Sequence, residues 1–108
     1  MASLSPTMRT LAALRNMGIP LIQVVERWNA FARIRQDLFG FIDILAIDDD
    51  GSVLAVQATS GSNVSARVNK IKESNELIWV RAAGWKVQVW GWRKLSSGKW
   101  EARIVDIS

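Results

Sequence analysis

The chain contains no cysteine and no histidine. Disulfides, thiol chemistry, imidazole acid–base catalysis and zinc sites of the usual ligand set are therefore excluded from the start. Tyrosine is also missing, and proline occurs only twice. No run approaches the ~20 consecutive apolar residues of a membrane span, and the first residues lack the apolar block of a signal peptide. A cytoplasmic protein with no membrane attachment is expected. Its chemistry must rest on carboxylates, amides, hydroxyls and cationic side chains.

The 108 residues suit one domain, 1–108, large enough to bury a core without staples. Lysine and arginine number 14 against 10 acids, a formal charge of +4. Three of those acids crowd one turn, Asp48, Asp49 and Asp50, so the remaining surface is more basic than the total suggests, which favours a polyanionic partner. There are six tryptophans, and about four of them are assigned to core and sheet packing.

The organising stretch runs from Phe39 to Ser60, two apolar runs joined by that acidic turn. Asp43 is the polar exception in the first run. Gln57 and Thr59 are the exceptions in the second, spaced so that a strand places both on one face. A two-residue loop at Asp50-Gly51 would put Asp43 and Gln57 on opposite faces. A three-residue loop, Asp49-Asp50-Gly51, closes a type I turn with Gly in the left-handed position, pairs Asp48 with Ser52 and sets Asp43 opposite Gln57. The second register is expected because it clusters polar groups that are costly to bury separately. Clustered, they either satisfy one another or share a ligand.

Around this hairpin the chain reads as alternating helices and strands. Ser5-Pro6 starts a helix with an apolar stripe of Met8, Leu11, Leu14 and Met17, and Gly18 ends it. Leu21 to Asn29 reads as a strand and Ala30 to Leu38 as a connecting loop that brings Arg33 and Arg35 towards the polar cluster. Phe41 to Ile47, apolar on both faces, is expected to be a strand covered by helices on both sides. A helix follows over 64–83, carrying Val64, Val68, Ile71, Ile78 and Ala82 inward, with Ser74-Asn75 as a possible break. Arg67 and Lys70 lie on its first turns. Trp85 to Lys94 and Trp100 to Ile107 are strands joined by a turn at Ser96-Ser97-Gly98-Lys99. The fold class is α/β, a mixed sheet flanked by helices in the order α-β-β-β-α-β-β.

An initial helix, three strands, a crossover helix and a further strand, with Asp in the second strand and a polar pair two residues apart in the third, resembles the PD-(D/E)XK nuclease superfamily. The segments RQDLFGFIDILAI, VLAVQATSGSNVSARVNKI and GWKVQVWGW look most like its Holliday-junction-resolvase-like and phage members, and the resemblance covers most of the chain from about Val25 onward. It implies a restriction-endonuclease-like αβββαβ core with an extra C-terminal strand. It further implies a homodimer acting on branched or duplex DNA with Mg²⁺ or Mn²⁺. Asp43 matches the metal-binding Asp of the motif. Gln57 stands where the family has an acid and Thr59 where it has the catalytic lysine. Among candidates to make good the difference, Glu26 or Asp37 would supply a second carboxylate, and Lys70 or Arg67 the cation. Arg33, Arg35, Arg67 and Lys70 would contact phosphates. Two other readings stand beside the nuclease: a DNA-binding module of the same fold with weak or no catalysis, and a structural partner protein with no nucleic-acid role.

Overall fold

Gly51 has φ 82°, a conformation available to glycine at little steric cost. Its N–H donates to Asp48 O at 2.9 Å, and Asp48 N–H donates to Ser52 O at 2.9 Å, so the loop is the expected three-residue one. The computed structural model describes residues 4–108 and builds a five-stranded mixed sheet around this hairpin. Strands β4 (Ile44–Ile47) and β5 (Val53–Ser60) form the hairpin, with Ile47 opposite Val53 and Ile44 opposite Val56. Continued by one residue, that register sets Asp43 opposite Gln57.

On the far side of β4 lies β1 (Leu21–Val24), antiparallel to it. On the far side of β5 lies β6 (Lys86–Lys94), parallel to it, and then β7 (Trp100–Asp106), antiparallel at the edge. The parallel pair is joined by a 3₁₀ turn (Gly61–Asn63) and two helices, α2 (Val64–Lys72) and α3 (Leu77–Ala82). Helix α1 (Pro6–Asn16), capped by Ser5 Oγ accepting Met8 N–H at 3.2 Å, covers the other face of the sheet.

The two-sided apolarity of the β4 segment is used on both faces. Leu11 and Leu14 of α1 pack with Ile44, Ala46, Val56 and Trp90. Val64, Ile71, Leu77 and Val80 of α2 and α3 pack with Ile42, Ala55, Val87 and Val89 on the opposite side. Each such Val, Leu or Ile side chain contributes roughly 1.5–3 kcal/mol when fully buried. Contact is closest at Gly91, where a Cβ would run into Val64 Cγ2 and lie 3.1 Å from Gly61 Cα. Among the described residues, no helix is long and apolar enough to cross a membrane.

The structure departs from the sequence-based expectations in several places. The strand expected over Leu21 to Asn29 is broken at Val25-Glu26, because both N–H groups donate to Asp43 O, at 2.8 and 3.3 Å. Beyond that point β2 (Arg27–Asn29) pairs with β3 (Ile34–Gln36) as a separate two-stranded ribbon, so the expected connecting loop Ala30 to Leu38 contains a strand. The Phe41 to Ile47 strand is regular only from Ile44, since Phe39 (φ 54°) and Gly40 (φ 82°) turn the chain just before it.

The helices also differ in detail. The inward stripe of α1 is Thr7, Thr10, Leu11 and Leu14, with Met8 and Met17 exposed. Thr10 Oγ1 is tied to Pro6 O and accepts from Trp92 Nε1, both at 2.8 Å, so a polar side chain is buried at no loss. The break between α2 and α3 resets the helical phase, which turns Leu77 and Val80 inward and leaves Ile78 exposed. Fewer tryptophans are packed than expected: Trp28, Trp79 and Trp100 are exposed. Trp100 sits on the edge strand with the Arg9 guanidinium 3.8 Å above its ring.

Candidate functional site

Asp43 lies where the chain enters β4, and it is only 4% exposed. Four bonds place it: its N–H donates to Val56 O at 2.9 Å, its carbonyl accepts the Val25 and Glu26 N–H groups, and its Oδ2 accepts Ala58 N–H at 2.8 Å. A carboxylate held this way cannot swing out to water.

Two further carboxylates meet it from separate segments. Glu26 lies between β1 and β2, and Asp37 follows β3. Carboxylate oxygens of Glu26, Asp37 and Asp43 all lie within 4.8 Å of one another. Burial, followed by a hydrogen bond with the Asp37 carboxyl, pushes the Asp43 carboxyl up to about 8 from its ordinary 3.8; the Ala58 N–H opposes this, and the charges of Asp37 and Glu26 add to it. Burial and like charge this close both disfavour the ionised form of Asp43.

Gln57 and Thr59 project from the same face of β5 and are buried at 4% and 5% exposure. Gln57 Nε2 donates to Asp37 Oδ2 at 3.3 Å, so its amide steadies the second carboxylate. Arg35 Nη1 reaches Glu26 Oε1 at 3.3 Å, but the arginine side chain is 71% exposed, and an ion pair so open to solvent contributes little stability. The same geometry leaves Glu26 both in an ion pair and in the carboxylate group.

A groove of about 820 Å³ reaches this cluster at Asp37 and is lined also by the cationic side chains of Arg27, Arg35, Arg67 and Lys70. An adjoining hollow of about 250 Å³ is lined by Gln57, Arg67 and Lys70 together with Phe39. Lys70 and Arg67 therefore share this hollow with Gln57. Arg33 is elsewhere, exposed at the outer end of the ribbon with φ 55°. Arg27 was not singled out by sequence reasoning. The available signal was the run from 27 to 36, which carries three arginines and no acid.

The other acidic group, Asp48, Asp49 and Asp50, is at the opposite end of the hairpin. It is turn structure: Asp50 Oδ1 accepts from Ser52 N at 2.9 Å and Ser52 Oγ at 2.6 Å, and these bonds lower the Asp50 carboxyl below its ordinary range.

Comparison of the chain with protein-family models, with curated proteins and with solved structures finds no match. The functional reading therefore rests on the groove itself.

Proposed function

We propose that the chain is a divalent-metal-dependent DNA endonuclease of the PD-(D/E)XK type. In this reading α1, β1, β4, β5, the α2–α3 crossover and β6 make up the αβββαβ core, β7 is the added C-terminal strand, and the β2–β3 ribbon is inserted between the first two core strands. The observation that carries the reading is the meeting of Glu26, Asp37 and Asp43 within 4.8 Å, with Asp37 facing a groove whose other walls carry Arg67 and Lys70. An all-oxygen, anionic donor set is what hard cations such as Mg²⁺ or Mn²⁺ select, and three carboxylates this close repel one another unless protons or a cation intervene.

Glu26, Asp37 and Asp43 would hold the cation. Bound there, it would supply Lewis-acid stabilisation of a phosphate oxygen and lower the pKa of a bound water. The protein's own contribution is positional. The Ala58 N–H and the Gln57 amide fix the directions of Asp43 and Asp37. Lys70 and Arg67 bind the phosphate from the α2 side, where a cationic group stabilises charge developing on its oxygens. Thr59 carries no charge and contributes none to that stabilisation. A homodimer would present two such grooves to the two strands of a branched or duplex DNA.

A second reading, a DNA-binding module without catalysis, is favoured by the third strand, where Gln57 donates to Asp37 and no cation stands on β5 itself. Titration calorimetry with Mg²⁺ and Mn²⁺, run beside cleavage assays on four-way and linear duplex DNA, separates the two. The nuclease reading expects metal binding and cleavage that Asp43→Ala abolishes while DNA binding persists. Wild-type protein that binds DNA, takes up no metal and cuts no substrate is the binding module.

A further inference from the structure

The β2–β3 ribbon is hard to explain by stability. A two-stranded ribbon alone is marginal in water, yet this one stands apart from the main sheet and leaves Trp28 60% and Ile34 51% exposed, with Phe31 fully exposed at its apex. Burial contributes nothing at Phe31 and only part of its full value at Trp28 and Ile34. The apex is nevertheless built: Asn29 Oδ1 accepts Ala32 N–H at 3.0 Å. Arg33 next to it is held in the left-handed region, φ 55°, which for a residue with a Cβ costs about 1–2 kcal/mol. Around the apolar residues are Arg27, Arg33 and Arg35, with no acid between Glu26 and Asp37.

We propose that this ribbon is a wedge that inserts Phe31 among unstacked bases of branched or bulged DNA while Arg27, Arg33 and Arg35 hold the flanking phosphates. The proposal rests on the groove being a nucleic-acid site, and it specifies the substrate: DNA with a break in its base stacking. An apolar tip flanked by arginines is the combination by which proteins open a base step. The energy needed is least where bases are already unpaired, which directs the tip to junctions and bulges rather than continuous duplex. The root of the ribbon opens on the carboxylate groove, because Arg27 and Arg35 line it together with Asp37, Arg67 and Lys70. A branch point seated on Phe31 therefore sends a phosphate backbone along cationic side chains towards Asp37 and the carboxylates behind it. Docking of a second copy through the ribbon would set three arginines against three more. A lipid surface would engage the tip but leave that concave groove unused.

The test compares wild type, Phe31→Ala and Phe31→Leu in EDTA, where binding is read without cleavage. The DNAs are a four-way junction carrying the fluorescent base 2-aminopurine at its branch point and a linear duplex of the same length. Wild type is expected to prefer the junction and to raise the 2-aminopurine emission as the base unstacks. Loss of the apolar wedge in Phe31→Ala should weaken junction binding about tenfold, with the emission rise lost and duplex affinity unchanged. Phe31→Leu, still an apolar wedge, should retain the preference. Phe31 is solvent-exposed, so thermal melting of all three proteins should coincide.

If wild type binds DNA and Phe31→Ala behaves identically in both assays, the wedge is refuted while the proposed function stands. Absence of DNA binding by wild type refutes both. Sedimentation showing a dimer that Phe31→Ala dissociates overturns the wedge in favour of self-association. Binding to vesicles of phosphatidylcholine and phosphatidylserine that depends on Phe31, with no junction preference, overturns it in favour of a membrane surface.

Discussion

Asp43→Asn offers a measurement of the electrostatics of the carboxylate cluster that needs neither metal nor DNA. The substituted amide keeps an oxygen for the Ala58 N–H and places an NH₂ towards Asp37, so it imitates the protonated acid without the proton. In the wild type the carboxyl is raised from 3.8 to about 8 in the folded protein. Folded protein thus retains a proton that the unfolded chain releases. The stability associated with that proton is fully present below about pH 4 and is lost as pH rises through about 8, at up to about 1.4 kcal/mol per pH unit. Across the whole interval this reaches about 6 kcal/mol. Water drawn in through the groove on ionisation reduces the figure, and a loss of about 2–4 kcal/mol by pH 8 is expected.

The composition makes the window clean. With no histidine and no cysteine, no other side chain has an ordinary pKa between 5 and 8. The Asp50 and Asp106 carboxyls are lowered, chiefly by hydrogen bonds from Ser52 and Ser108. Their contribution is present above the ordinary 3.8 and disappears only as pH falls below it. Urea unfolding in EDTA at pH 5, 6, 7 and 8 should therefore show wild-type stability declining with pH and Asp43→Asn nearly flat and the more stable protein at pH 8. Added Mg²⁺ should flatten the wild-type profile and leave the variant unchanged. A wild-type profile already flat in EDTA, or a variant no more stable at pH 8, would refute the account of a buried carboxyl held against its neighbours.

Three other outcomes test separate parts of the structure. Gln57→Glu adds a carboxylate beside Asp37, so Mg²⁺ affinity measured by calorimetry should rise while metal-free stability at pH 8 falls, because like charges are brought together; unchanged metal affinity would place Gln57 outside the binding shell. Replacing Arg33 and Arg35 together by Ala should weaken binding to every DNA sequence alike and flatten the dependence of log affinity on log salt, since each lost phosphate contact reduces counterion release; identical salt slopes would remove the ribbon from the interface. Gly91→Ala, whose methyl would meet Val64 and lie 3.1 Å from Gly61 Cα, should lower stability by about 1–3 kcal/mol through overpacking. Adding Val64→Ala should recover part of that loss, and calorimetric melting that finds the single variant as stable as wild type would refute the close packing of α2 on β6.

Local chemistry determined the parts of this protein that depend on neighbours in the chain. The loop length at Asp49-Asp50-Gly51 could be deduced because only one register clustered Asp43 with Gln57, and both the turn bonds and the left-handed Gly51 follow it. The mixed sheet with helices on both faces was legible in the two-sided apolarity before and after that turn and in a helical stretch long enough for a parallel crossover. Periodicity failed where a break shifted the phase, as between α2 and α3. It also failed where a backbone bond across the fold overrode strand propensity, as when the Asp43 carbonyl took both the Val25 and Glu26 N–H groups and turned the chain out into the ribbon. The meeting of Glu26, Asp37 and Asp43 was beyond the sequence for the same reason. Their separations along the chain state which carboxylates are available, and only the tertiary path that brings the ends of β1, β3 and the start of β4 together decides that all three arrive within 4.8 Å.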